Sequence, residues 1–222
     1  LLQGIAKVEA DDIQAAIVLF DDAIQLDHRN AEAWHYWSYY QHISGNLEAS
    51  IAGFKVAAIL DQHPEFAVTG QPQNDLQNLA LYNLACAFSL QNNTDEALDK
   101  LRQAFSLGFK DFELLNSDND LVNLRKHSEY AGLVNQASNG KGYYQSEEDN
   151  QIDHAFRLSQ AGDALINFEF YEEAILALKN SIAIEEFDGT AIFNLGLALH
   201  YAGKPNTAIR YYKQALAYPD CE

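Results

Sequence analysis

The chain has few basic residues, no methionine and no long apolar run, and each of these absences bears on function. Its 14 Lys and Arg residues stand against 32 Asp and Glu residues, which gives a formal net charge of −18. A negative field of this size repels phosphate backbones and anionic lipid surfaces, so nucleic acid and membrane partners are disfavoured. Because no run reaches about 18 apolar residues, no segment is predicted to cross a bilayer.

Methionine is absent even at position 1, and the first residues already have a helical pattern instead of that of a signal peptide. We therefore interpret the chain as a fragment or processed form whose upstream sequence, with any targeting signal, is missing. Cysteine is scarce as well, because the chain contains only Cys86 and Cys221. They lie too far apart for a disulfide framework or a metal motif, which favours a reducing compartment and a cytoplasmic location.

What the chain does contain is a small residue that recurs at intervals, with 34 residues separating the first pair and also the last pair. The series is Gly4, Ser38, Ala85, Gly162 and Gly196. A second small residue follows each member after twelve positions, and a large apolar residue stands four positions later. The large residues are Phe20, Phe54, Leu101, Leu178 and Tyr212. This spacing predicts an array of helical hairpins, in which each hairpin buries its apolar face only against its neighbours.

Local signals agree with the hairpins. Asn30 is predicted to cap a helix, which is followed by a second helix at about residues 47–60. Thr94 is predicted to cap a later helix. Gly203 is expected to end one helix and Pro205 to begin the next, because glycine favours the position after a helix and proline the first helical turn.

The sequence resembles the tetratricopeptide repeat family in residues 31–64, 78–108, 155–188 and 189–222, and residues 1–30 resemble a first repeat without its opening turn. The resemblance implies an all-α, right-handed solenoid of about five helix-turn-helix repeats. It also implies that the small residues allow the two helices of a hairpin to cross closely, while the large residues fill the spaces between hairpins.

Two interruptions of the spacing suggest how the chain is organised. Thirteen extra residues between the second and third repeats, including Pro64, predict a loop. A longer insertion begins with a segment that resembles the end of repeat arrays in bacterial proteins, and we expect it to form two short capping helices. The predicted organisation is therefore three repeats and a cap in residues 1–137, a flexible acidic linker in residues 138–150, and two repeats in residues 151–222.

In this family the first helices of successive hairpins line the concave face, so the resemblance assigns a set of groove residues. They are His35, Tyr36, Tyr39, His42, Tyr82, Asn83, Phe156, Phe193, Asn194 and His200. The predicted groove is aromatic and polar and contains no Lys or Arg, so it is not expected to clamp the terminal carboxylate of a chaperone. It favours an extended peptide or a partner helix, and the net charge favours a basic one. Alternatively, individual rings only pack against adjacent repeats.

The remaining candidates for chemistry have simpler interpretations. His35 and His42 share a helix face but lack a third ligand, so no metal is predicted. Cys86 is expected to be a buried, inert thiol because no local feature lowers its pKa. The segment 118–120 resembles the start of a calcium loop but lacks the turn glycine and the distant Glu, so we expect it to cap a helix. No motif implies a cofactor or an active site.

The resemblance therefore implies a non-catalytic scaffold or adaptor that binds a protein segment. The alternative is a regulatory or oligomerising segment of a larger enzyme whose catalytic domain lies elsewhere. Self-association through the terminal repeats would favour that alternative.

Overall fold

The computed structural model describes residues 1–60, 74–140, 147–186 and 188–218, and within these ranges the regular structure is entirely helical. The chain divides into two compact units, Leu1–Tyr143 and Tyr144–Glu222. Because the described residues form twelve α-helices and no strand, the predicted all-α repeat fold is confirmed.

The first unit contains three hairpins followed by a cap. Its α-helices are α1 (Leu2–Glu9), α2 (Ile13–Leu26), α3 (Ala31–Ile43), α4 (Leu47–Leu60), α5 (Asn74–Leu90), α6 (Thr94–Ser106), α7 (Phe112–Ser117) and α8 (Tyr130–Ser138). Two 3₁₀ turns, Asn119–Leu121 and Leu124–Lys126, connect α7 to α8. Consecutive helices from α1 to α6 pack together, and α3 also packs against α5. The first helices of the second and third hairpins are therefore neighbours.

The second unit contains two hairpins. Its helices are α9 (Glu147–Asn167), α10 (Tyr171–Ile184), α11 (Gly189–Tyr201) and α12 (Pro205–Ala215). Consecutive helices pack together, and α9 also packs against α11. The arrangement within this unit therefore repeats that of α3 to α6.

The small residues are required because a large side chain of the same hairpin lies directly over them. A methyl group added at Gly4 would lie 2.5 Å from the ring of Phe20, and one added at Gly162 would lie 2.5 Å from Leu178. Phe20 is fully buried, and its ring also stacks on Tyr36 of the next hairpin, with 5.3 Å between ring centroids. The large residue thus closes its own hairpin and joins it to the following one.

The second hairpin carries Ser38 where the first has glycine, and a glycine on the opposing helix compensates for it. The hydroxyl of Ser38 donates a hydrogen bond of 2.6 Å to the carbonyl oxygen of Trp34. Gly53 of α4 faces this hydroxyl, and a methyl group at Gly53 would overlap it. The pair leaves room for the two backbones to approach each other.

The local signals are largely confirmed. The side chain of Asn30 accepts a 2.9 Å hydrogen bond from the backbone N–H of Ala33, as expected of an N-cap. Gly203 adopts a φ of +74°, and Pro205 is the first residue of α12. The prediction for Thr94 is wrong, because Thr94 is already the first helical residue of α6 and the residue before it makes no capping hydrogen bond through its side chain.

The predicted interruptions are described only in part. The insertion forms the two short helices α7 and α8 that were expected, with the two 3₁₀ turns between them. Ser138 is the last residue of α8, and residues 147–150 belong to α9. Residues 141–146 and the predicted loop around Pro64 lie outside the described residues. The domain limits at residues 137 and 151 stay predictions.

Side-chain contacts fasten the cap to the repeats. Asp118, at the end of α7, accepts a hydrogen bond from the backbone N–H of Asp120, so the capping role expected of this segment is confirmed. His127 Nε2 lies 3.0 Å from a carboxylate oxygen of Asp95 in the first turn of α6, and Arg102 pairs with Glu129. The cap is therefore held against α6 by charged side chains on both partners.

Candidate functional site

A cleft of about 460 Å³ lies between α3 and α5 in the first unit and is bounded by the cap. Its lining residues are Glu32, His35, Tyr36, Tyr39, Tyr40, Leu76, Leu79, Tyr82, Asn83, Leu114 and Asp118. Five residues of the predicted groove meet there, because α3 and α5 are adjacent first helices. These five are His35, Tyr36, Tyr39, Tyr82 and Asn83.

A hydrogen bond joins α3 to α5 within the cleft. The side-chain nitrogen Nδ2 of Asn83 lies 3.2 Å from Nε2 of His35 and donates to it. His35 is only 8% exposed, and this burial lowers its pKa to about 4. The imidazole is therefore neutral at pH 7, with its proton on Nδ1 and its Nε2 occupied by Asn83.

The tyrosines of α3 are positioned by a ring of the preceding hairpin. Tyr36 and Tyr40, one helical turn apart, both stack against Phe20, with centroid distances of 5.3 and 5.8 Å. Tyr39 meets Tyr40 edge to face at 5.2 Å and keeps 39% of its surface exposed. Because the neighbouring rings are anchored, Tyr39 presents an exposed aromatic surface on a fixed support.

Tyr82 forms part of the wall and makes its polar contact within the protein. Its ring is 2% exposed and stacks on Phe109 at a centroid distance of 4.5 Å. Its hydroxyl donates a 2.5 Å hydrogen bond to a carboxylate oxygen of Asp118 in the cap. Burial, followed by the nearby Cys86 and the Asp118 carboxylate, raises the pKa of Tyr82 far above its usual value. Tyr82 thus joins α5 to the cap.

Cys86 lies one turn further along α5 and behaves as a structural thiol. Its sulfur is 3.5 Å from the same carboxylate oxygen of Asp118. Burial, and then the charge of Asp118, raises the pKa of the thiol well above its usual value. The thiol is therefore protonated at neutral pH, and the prediction that Cys86 is buried is confirmed.

His42 is the one predicted groove residue of the first unit that does not line the cleft. Its Nε2 lies 2.7 Å from a carboxylate oxygen of Asp120, so the side chain contacts the cap. It is not among the residues that line the cleft. The partner lies 78 positions away in the sequence, which is why the repeat pattern gave no sign of this contact.

The predicted groove residues of the second unit lie on its two first helices. Phe156 of α9 and Phe193 of α11 are each 45% exposed, Asn194 is half-buried and His200 is exposed. The ring of Phe193 lies 5.5 Å from that of Tyr212. A cavity of about 430 Å³ in this unit lies beside α10 and α12 and is lined by none of these four residues.

Sequence reasoning missed six residues of the first cleft. They are Glu32, Tyr40, Leu76, Leu79, Leu114 and Asp118. Glu32, Tyr40, Leu76 and Leu79 lie on the same first helices as the predicted residues, so a wider helical face would have included them. Leu114 and Asp118 come from the cap, and no repeat spacing could have placed them beside α3.

No group of three His, Cys, Asp or Glu side chains that could hold a metal ion occurs among the described residues. In the same part of the chain, no helix combines the length and the apolar character needed to cross a membrane.

Comparison with known proteins gives a family match in two places. The family model described as tetratricopeptide repeat matches residues 80–110 and 191–220. These segments fall on the third and fifth hairpins. Among curated proteins, a chloroplastic protein of Arabidopsis thaliana is 33% identical over 72 residues. That stretch is 32% of this chain and 22% of the relative, so the chain spans about a fifth of the relative's length.

Solved structures with similar folds include MamA, which is 18% identical with a TM-score of 0.39 and coverage of 96% of this chain and 92% of that one. YrrB, described as a TPR protein with an unusual peptide-binding site, is 19% identical with a TM-score of 0.39 and coverage of 91% and 93%. The TPR2AB domain of yeast Sti1 in complex with an Hsp90 peptide is 13% identical, with a TM-score of 0.41 and coverage of 96% and 86%. These overall superpositions are weak, whereas the segments matched by the family model coincide with observed hairpins. The chain therefore contains tetratricopeptide repeats, at residues 80–110 and 191–220.

Proposed function

We propose that this chain is a non-catalytic interaction scaffold and that the cleft between α3 and α5 binds a peptide segment or a partner helix. The observation that carries the proposal is the exposed ring of Tyr39 at a cleft of about 460 Å³ whose walls are held by internal contacts. A rigid aromatic side chain at a preformed cleft is a typical anchor of a protein interface, because little conformational entropy is lost when a ligand covers it.

The protonation states of His35, Tyr82 and the neighbouring Cys86 support a non-catalytic role. His35 has a pKa of about 4 and is bonded to Asn83, so its Nε2 is not open to act as a base. The thiol of Cys86 and the phenol of Tyr82 have raised pKa values and are protonated at neutral pH. A histidine that acts as a general base needs a ring nitrogen open to the substrate, and a Cys or Tyr nucleophile must be able to lose its proton near neutral pH.

We propose the exposed face of the second unit as an additional contact surface. Phe156, Phe193, Asn194 and His200 supply two rings and two polar groups on adjacent first helices. The half-exposed ring of Phe193 is the natural anchor there, since Tyr212 supports one side of it. This surface belongs to the second unit alone, so its contribution is measured with a variant of its own.

The test is affinity capture from a lysate of the source organism, with identification by mass spectrometry. Tyr39→Ala should weaken binding of the captured partner by about 1 to 3 kcal/mol. Leu90→Ala is the matched control, because Leu90 is 41% exposed at the end of α5 and does not line the cleft. A partner that binds wild type and Tyr39→Ala equally would rule out the cleft as its site, and Phe193→Ala tests the second surface in the same way.

A second candidate function, association through the last hairpin, is favoured by the exposed face of α12. Ile209 is 50% exposed, whereas its equivalents Ile51 and Ile175 are 8% and 5% exposed. Leu216 is 82% exposed, whereas its equivalent Ile24 is 2% exposed. Light scattering over a concentration series tests for dimers, and the double variant Ile209→Glu, Leu216→Glu should remove them. A monomer at all concentrations would reject this candidate.

A further inference from the structure

The charged side chains that line the cleft of the first unit are all of one sign. Its lining contains the carboxylates of Glu32 and Asp118 and, among the described residues, no Lys or Arg. Residues 61–73, which precede α5, contain no Lys or Arg in the sequence either. The guanidinium of Arg125 lies behind Asp118, but it donates to the carbonyl oxygens of Leu115 and Asp118. This cation is therefore committed to the backbone at the end of α7.

The two carboxylates differ in their availability to a ligand. Asp118 accepts hydrogen bonds from the hydroxyl of Tyr82 and from the backbone N–H of Asp120, so both of its oxygens are engaged. Glu32 is exposed in the first turn of α3, and no hydrogen bond or ion pair from the described residues occupies it. Glu32 is thus the carboxylate that a ligand can pair with.

Glu32 also lies on the aromatic side of α3. Tyr36 and Tyr39 follow it by four and seven positions, so the three side chains share one helix face. A cationic side chain that pairs with Glu32 would have its methylene groups against these rings and its charge near their negative faces. The apolar residues Leu76 and Leu79 on the opposite wall suit the same aliphatic stem.

An acidic ligand would meet the opposite situation. It would bring a carboxylate beside Glu32 and Asp118 with no cation in the described lining to pair with it. Burying like charges together costs binding free energy, and the net charge of −18 repels such a ligand before contact. The cleft therefore discriminates by the sign of the ligand's charge.

We propose that the cleft between α3 and α5 selects a basic peptide segment and that Glu32, flanked by Tyr36 and Tyr39, receives one of its Arg or Lys side chains. This inference rests on the proposed function and adds the chemistry of the partner to it.

The test uses random dodecapeptides displayed on phage and selected on the immobilised full chain. Peptides that bind wild type should contain an excess of Arg and Lys over the unselected library. The strongest peptide, made synthetically with blocked ends, should bind Glu32→Gln about three- to tenfold more weakly than wild type. The control Glu48→Gln removes an exposed glutamate from the first turn of α4 and should change binding by less than about twofold.

Salt and the variant Tyr39→Ala separate the possible outcomes. Raising NaCl from about 50 to about 500 mM should weaken peptide binding to wild type more than peptide binding to Glu32→Gln, because salt screens the exposed ion pair. The basic partner would be overturned if the selected peptides needed Tyr39 for binding but had no excess of Arg and Lys, or bound Glu32→Gln as tightly as wild type. The proposed function would still stand in that case. Selection that yields no peptide dependent on Tyr39 would overturn both.

Discussion

Replacing Gly53 by Ala tests whether steric contact between α3 and α4 sets the geometry of the second hairpin. The new methyl group would overlap the hydroxyl of Ser38 and would lie 3.0 Å from the ring of Trp37. Ser38 is fully buried and Trp37 is 8% exposed, so neither side chain can move into solvent. The helices must separate or the side chains must leave their preferred rotamers, which typically costs about 1 to 3 kcal/mol.

Helix propensity acts in the other direction. Alanine in a helix interior is about 1 kcal/mol more favourable than glycine. The net effect of Gly53→Ala should therefore be a loss of roughly 0 to 2 kcal/mol of unfolding free energy. Gly132→Ala in α8 is the control, because a methyl group there would meet no atom within 4 Å. That variant should gain about 0.5 to 1 kcal/mol.

The steric cause is isolated by removing the hydroxyl. In a Ser38→Ala background, Gly53→Ala should be less destabilising by about 1 kcal/mol, since contacting residues commonly couple by about 0.5 to 3 kcal/mol. The assay is urea unfolding followed by circular dichroism. Wild type, the two single variants, the double variant and Gly132→Ala are compared with the same dependence of unfolding free energy on urea concentration. The reasoning would be refuted if Gly53→Ala had the same effect in both backgrounds, or matched the gain of Gly132→Ala.

Two further perturbations test the cleft. Because the pKa of His35 falls from 6.5 to about 4 on folding, the unfolded chain binds more protons than the folded chain between these pH values. The free energy of unfolding, measured by urea, should therefore drop by up to about 3 kcal/mol as pH falls from 6.5 to 4. The variant His35→Gln should lack this part of the drop. Tyr82→Phe removes the donor to Asp118 and should cost about 1 to 2 kcal/mol, with faster amide hydrogen exchange in the cap, residues 112–138; unchanged exchange there would show that the bond does not fasten the cap.

Much of the fold could be predicted because its contacts are local in sequence. The caps at Asn30 and Gly203 depend on residues within one turn, and both were predicted correctly. The failure at Thr94 is also local: in a run of polar residues the helix begins one position earlier than the pattern suggests. Periodicity predicts which residues lie within a helix, whereas the exact first residue depends on small differences in free energy between neighbouring starting positions.

The candidate site was less predictable. The helical register placed Tyr36, Tyr39 and Asn83 on one surface, because first helices of neighbouring hairpins must be adjacent. The register could not show that Tyr82 and His42 are bonded to the cap, since Asp118 and Asp120 belong to no repeat.

The sequence by itself determined the hairpin architecture, because a small residue and the large residue sixteen positions later meet within one hairpin and need no distant partner. The tertiary structure decided which side chains of the groove remain available to a ligand. That outcome depends on long-range contacts, such as the packing of Phe20 on Tyr36 and of the cap on α5. These contacts occupy polar and aromatic groups that a ligand would otherwise contact. Tyr39 and Glu32 are left exposed on α3 by that competition, while His42 on the same helix pairs with Asp120.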